Sequence, residues 1–391
     1  MTYSAETTSA TPEKGHRIPC LDGLRALSIA LVLYSHARLT YGFPIAPWIQ
    51  TPLGRLAGSA GVCLFFIISG YLITTLILNE KQKYGAVSLR DFYVRRSLRI
   101  FPAFYCFLVV AVVLRHIGYA PFSNMSLFSS AAYWRNFFDS PAKDHDFLLR
   151  HTWSLSVEEQ FYLLWPLWVS RLSTKRAAAV ALTVVAGWPL LSLLKHSHQG
   201  QSPQLVLMDA VGSLNKNPGF LSLDTVAGNT ILYGCLLALW TRDGISLQRL
   251  EMLKRGCKGL LISVSALLLI YATCAAWPAK ATFLLQIIRN IAFTWLLWWC
   301  VRNPSTAVGK VLDWAPIVFI GWISYSLYIW QAVFVYPEHT EWFCRFPVNI
   351  LASVGVATLS YFAVERPLNA LRGRFSAAAR NRKAAAVGTI P

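Results

Sequence analysis

The sequence is poor in charge. Asp, Glu, Lys and Arg make up 14% of its 391 residues, against about 25% in soluble domains, too few to cover a soluble surface of this size. Acidic residues are the scarcer sign, 18 against 36 Lys and Arg. Paired cysteines are also missing. Cys20, Cys63, Cys106, Cys235, Cys257, Cys274, Cys300 and Cys344 are scattered singly, mostly inside apolar runs, with no CxxC and no Cys/His cluster. That pattern indicates neither a zinc site nor a disulfide framework, and it fits small buried apolar side chains. No internal repeat stands out, and no Pro/Ser-rich linker marks off a second domain.

Apolar residues, at 55%, fill the space that charge leaves. A spanning helix needs about 20 mostly apolar residues. Ten such runs are present, near 20–40, 59–78, 101–118, 155–172, 177–194, 221–240, 257–277, 281–301, 315–336 and 346–364. The fourth is the weakest, because it holds Glu158 and Glu159. With the N-terminus placed in the cytoplasm, 24 Lys and Arg fall inside and 10 outside, while Arg25 and Arg289 lie within spans. That bias follows the positive-inside rule. The net charge of +18 therefore reads as topology, and no basic patch suited to nucleic acid forms. The sequence predicts an all-α polytopic integral membrane helical bundle of about ten transmembrane helices, both termini cytoplasmic. Residues 1–17 read as a disordered cytoplasmic tail, 18–370 as the transmembrane domain and 371–391 as a basic cytoplasmic tail. Arg25 and His36 interrupt the first span, and no clear small-residue cleavage site follows, so it does not read as a cleaved signal peptide.

Ionisable groups at bilayer depth are costly and mark function by default. Arg25 and His36, eleven residues apart, share one face of the first span, separated by roughly 16 Å along its axis. Arg25 lies toward the cytoplasm and His36 toward the far side. They read either as a functional pair or as a topology flank and an interfacial residue. Arg95, Arg96 and Arg99 precede the third span. They suit phosphate oxygens, or equally topology and lipid headgroups. Glu158 in Trp153-Ser154-Leu155-Ser156-Val157-Glu158-Glu159-Gln160-Phe161-Tyr162 shares a face with Ser154 and Tyr162. It is expected at the depth of His36, where a carboxylate can orient an imidazole; the alternative is a buried structural group. Glu159 points about 100° away. Ser69, in Gly61 to Tyr71, and Tyr325, in Gly321 to Gln331, put small and polar residues in two further spans, for helix packing or for a thin ligand chain. Glu365 closes the last span within reach of the cytoplasmic arginines.

Taken in order, these motifs resemble the membrane acyltransferase-3 family, from Leu21-Asp22-Gly23-Leu24-Arg25 to Glu365-Arg366-Pro367. Arg25-x10-His36 is similar to its arginine–histidine signature, Arg96-x-x-Arg99 to its RxxR motif, and Trp153 to Tyr162 to its most recognisable segment. Cys63 stands where an Asp is common and Gln331 where a His is common. The resemblance implies a standalone membrane O-acyltransferase without an SGNH-type hydrolase domain. It implies acetylation of a cell-envelope carbohydrate such as lipopolysaccharide O-antigen, or alternatively of a macrolide or other secreted small molecule. Acetyl-CoA (acyl-CoA) is the expected donor substrate, with no permanently bound cofactor, no metal and no nucleic acid. Membrane lipid is a partner, and the location is the inner (plasma) membrane. The roles that follow are Arg25, Arg95, Arg96 and Arg99 on the CoA phosphates, His36 as general base and Glu158 as its partner. Ser154, Tyr162, Ser69 and Tyr325 are left for substrate or oxyanion. A lipid-linked sugar transporter or flippase would use the same buried groups without chemistry.

Overall fold

The computed structural model describes residues 18–44, 52–137, 146–198, 224–242, 259, 262–265, 279–337, 339–371 and 375. These residues are helical with no strand among them. In chain order the helices are α1 (Leu21–Ala37), α2 (Pro52–Tyr84), α3 (Leu89–His116), α4 (Asn124–Ala131), α5 (Phe147–Arg150), α6 (Thr152–Arg171), α7 (Thr174–His198) and α8 (Asp224–Arg242). They continue with α9 (Ala279–Arg302), α10 (Ala307–Leu312), α11 (Ala315–Phe334) and α12 (Val348–Ser360). A π-helical turn, Tyr361–Glu365, then leads into α13 (Arg366–Leu371). A helix covers each expected span except 257–277, which lies almost wholly outside the described residues.

Among the described residues, four stretches are long and apolar enough to cross a membrane: Ala57–Tyr84, Leu89–His116, Ala315–Phe334 and Val348–Leu371. Physical reasons separate two other helices from these. Helix α1 has 17 residues, short of the roughly 20 that a bilayer asks for. Helix α6 has the length, with 20 residues, but carries Glu158, Glu159 and Arg171.

Local chemistry sets the helix starts. The Ser88 hydroxyl accepts from the Asp91 amide at 3.3 Å and caps α3, as Ser123 caps α4 and Thr306 caps α10. Proline in the first turn of α11 supplies a φ already suited to a helix.

Helix α2 is the central staff, packed against α1 on one side and α8 on the other. Its glycines make this possible. A Cβ on Gly70 would lie 2.0 Å from the Ile231 carbonyl oxygen, and one on Gly234 would lie 1.9 Å from that of Ile67. The two backbones of α2 and α8 therefore meet glycine to glycine, a crossing that side chains would hold apart. Gly61 does the same against Ser28 of α1. Of the two roles open to the Gly61 to Tyr71 segment, its glycines take packing.

Helix α11 lies between α1 and α12. It carries the polar face expected from its sequence inward: Ser324, Ser326 and Gln331 are fully buried. The Ser326 hydroxyl meets Ser360 at 3.0 Å and donates to Glu365, and the charges of Arg99 and Arg25 also reach that carboxyl.

Candidate active site

Helices α1, α2, α3, α6 and α11 enclose a small cavity of about 60 Å³. Its wall brings together most of the residues singled out in the sequence. Arg25 comes from α1, Ser69 from α2, Arg96 and Arg99 from α3, Ser154, Glu158 and Tyr162 from α6, and Tyr325 from α11. Five helices, several of them far apart in sequence, thus converge on one ionic interior.

Glu158 is the hub of this wall. It accepts from the Ser69 hydroxyl and from the Tyr162 hydroxyl, and Arg96 Nη2 lies 3.8 Å away. The Arg96 guanidinium also lies over the Tyr162 ring, 3.5 Å from its centroid, a stacking that suits a planar cation. The α-helical spacing of Glu158 and Tyr162 makes their contact possible, as the sequence reading anticipates. Glu159 joins the same wall. A turn of 100° does not remove it, because the cavity extends around two sides of α6.

Three expected features are placed elsewhere. Arg95 points away from the cavity: Nη2 bonds Glu80 at 3.1 Å and Nη1 bonds the Phe375 carbonyl at 2.5 Å. His36 is absent from the cavity wall. Its Nδ1 meets Gln331 Oε1 at 3.3 Å, and its ring stands edge-on to Phe147. Glu158 and His36 are therefore held by different partners, and no hydrogen bond joins them among the described residues. Depth explains the separation. The residue beside α6 that electrostatically senses His36 is His151, just before the helix and seven residues before Glu158, hence about 10 Å from it along the axis.

The hydroxyls considered for an oxyanion are already engaged. Ser154 bonds the Tyr328 hydroxyl at 2.6 Å and the His151 carbonyl at 3.1 Å. Tyr325 donates to the Ile100 carbonyl at 3.1 Å. Tyr162 donates to Glu158.

Sequence reasoning passed over three residues that extend this site. Tyr328 lines the cavity and donates to the His151 carbonyl at 3.1 Å. Gln331 follows it by one turn of α11, fully buried, and reaches His36. This position was noted only as a departure from a family pattern, with no expectation that it touches His36. His151, just before α6, packs edge-on to Phe107 and Tyr328, and neither ring nitrogen makes a well-formed hydrogen bond. Burial drives its imidazole down to about 3; His36 adds to the fall and the Leu148 backbone opposes it. At neutral pH it is therefore an uncharged ring. The line Tyr328–Gln331–His36 continues from the cavity wall along α11 to α1.

The acyltransferase-3 family model, described as an acyltransferase domain, matches residues 18–363. The chain belongs to the acyltransferase-3 family. The family match spans all five helices that enclose the cavity as well as His36 and Gln331. YrhL of Bacillus subtilis is 29% identical over 382 residues, covering 90% of this chain and 55% of its own length. OatA of Listeria monocytogenes, a peptidoglycan O-acetyltransferase, is 26% identical over 386 residues, covering 90% and 56%. OatA of Staphylococcus aureus, an O-acetyltransferase, is 28% identical over 382 residues, covering 90% and 57%. The chain spans a little more than half the length of these acyltransferase-3 relatives. No solved structure matches it.

Proposed function

We propose that this protein is a multi-pass O-acetyltransferase of the inner (plasma) membrane. It takes an acetyl group from cytoplasmic acetyl-CoA and delivers it to a hydroxyl of a cell-envelope carbohydrate. The observation that carries this reading is the path from Arg25, Arg96 and Arg99, through the cavity, to Tyr328, Gln331 and His36. In the ten-span arrangement with both termini cytoplasmic, its arginines face the cytoplasm and His36 the outside.

Each part of the path suits a part of the reaction. Guanidinium groups suit the phosphates of CoA. Arg25 and His36 are about 16 Å apart on one helix face, a distance that the extended pantetheine arm covers. At about 60 Å³ the cavity holds a few water molecules and no more, so entry of the arm requires its wall to part. The contacts that yield are those of Arg96 with Tyr162 and Glu158.

At the outer end, His36 takes the proton of the acceptor hydroxyl as its oxygen attacks the thioester carbonyl. The carbon–sulfur bond then breaks, and the imidazolium returns the proton to the leaving CoA thiolate. Transfer through an acyl-imidazole on His36 uses the same residue; CoA release without any acceptor would mark that route. The place of Glu158 makes it the counter-charge of Arg96 and the anchor of Ser69 and Tyr162.

For the acceptor, the name of the Listeria relative puts peptidoglycan first in the order of testing. Lipopolysaccharide O-antigen, expected from the breadth of the family, follows. The deciding experiment supplies radiolabelled acetyl-CoA to the detergent-purified protein, wild type beside His36→Ala, with each glycan in turn. Label moving to glycan with wild type alone supports the reading. Glycan or lipid-linked sugar crossing a reconstituted membrane with no acetyl-CoA consumed would replace it with a transporter.

A further inference from the structure

Gln331 is fully buried on α11 and bridges two groups. Its Nε2 donates to the Tyr328 carbonyl at 3.3 Å, and its Oε1 faces His36 Nδ1 at 3.3 Å. The orientation of the amide follows from chemistry. A backbone carbonyl only accepts, so the end of the amide that meets Tyr328 has to be the NH₂. The reverse orientation would set two oxygens face to face. The amide oxygen is thereby aimed at His36, and an amide oxygen also only accepts. A neutral imidazole has one N–H, and Gln331 requires it on Nδ1.

We infer that Gln331 is a positioning residue that selects the His36 tautomer with its proton on Nδ1, leaving Nε2 as the bare nitrogen. No described residue bonds Nε2. The other groups acting on this ring are Arg150 of α5, Arg38 at the end of α1 and His151 before α6. None of the three is an acceptor anchored on Nδ1, so the tautomer rests on Gln331. Its amide orients the ring without adding negative charge, which leaves the ring free to gain and lose a proton during turnover. The catalytic consequence rests on the reading of His36 as general base; the tautomer itself does not.

The test uses the full chain in nanodiscs, with ring-¹⁵N-labelled histidine. The difference between wild type and His36→Ala identifies the His36 signals. The expected wild-type spectrum shows protonated Nδ1 and bare Nε2. Gln331→Glu, which keeps an acceptor in place, retains that tautomer. Gln331→Met, a near-isostere without the amide, gives a mixture. In turnover of acetyl-CoA with solubilised peptidoglycan fragments, Gln331→Met lowers kcat about 10- to 100-fold, part of the 10²–10⁴ that a general base supplies, and leaves the KM for acetyl-CoA unchanged. A wild-type ring protonated on Nε2, or on both nitrogens, overturns the inference, as does a Gln331→Met protein with the wild-type tautomer. The wild-type spectrum alone is decisive if the variants do not fold. Full transfer by His36→Ala would instead overturn the general-base reading, while the tautomer would still be judged on the spectra.

Discussion

Around Arg25, Arg96 and Arg99 the interior is ionic. Arg96 is shared between the Glu158 carboxylate and the Tyr162 ring, and Glu159 lines the same wall. Around His36 the partners are of another kind: an amide and a phenyl ring touch it, and the charges that reach it, Arg150 and Arg38, are cations with no carboxylate among them. Charge suits the first task, because a phosphate-bearing donor is attracted and held by fixed cations. It suits the second less well. A carboxylate beside the ring would favour its protonated form, whereas an amide sets the ring without adding charge. In the proposed reading, the motifs of this chain divide by chemistry along the axis of α1: anchoring at Arg25, transfer at His36.

If that division holds, the variants fall into an order. His36→Ala is expected to cost the full contribution of a general base, about 10²–10⁴ in kcat, with acetyl-CoA binding intact by isothermal titration. Loss of binding together with activity would erase the distinction between the two regions. Next, Arg96→Ala is expected to raise the KM for acetyl-CoA about 10- to 100-fold, the scale of one charge-assisted hydrogen bond, with kcat little altered. A kcat defect with unchanged KM would move Arg96 to the chemical end. Ser154→Ala removes the bond to Tyr328 at the joint between the regions. A bond of this kind is worth about 1 kcal/mol, so a kcat lower by roughly fivefold is expected in steady-state assays. Arg95→Ala sharpens the inner boundary. Its side chain is held by Glu80 and Phe375, away from the cavity, and the KM is expected to stay within about twofold, as for a peripheral ion pair.

Much of the inner site can be read from spacing alone. Glu158 and Tyr162 are one helical turn apart and do meet, and two of the three arginines preceding Ile100, Arg96 and Arg99, reach the cavity. Apolar run length located every long described helix, while the short α4, α5, α10 and α13 lie outside the runs. Spacing along one helix carries no information about depth relative to another. For that reason Glu158 was expected at His36, although α6 begins at Thr152 and sets Glu158 nearly two turns deep. The partner of His36 comes from α11, 295 residues away in sequence. Gln331 is neither charged nor periodic, so no pattern within the sequence marked it. Arg95 and Arg96 are adjacent, and only the rotation of α3 decides which of them faces inward.

The narrowness of the cavity bears on the membrane as an insulator. A path wide enough for a thioester arm could also carry protons down an electrochemical gradient, and the cell would lose energy at every idle copy. The path narrows to a space for a few waters, and Arg25, Arg96 and Arg99 stand in its wall. Fixed positive charge beside a constriction repels hydronium and other cations. The arginines proposed to hold the donor would thereby also help to keep the bilayer electrically tight.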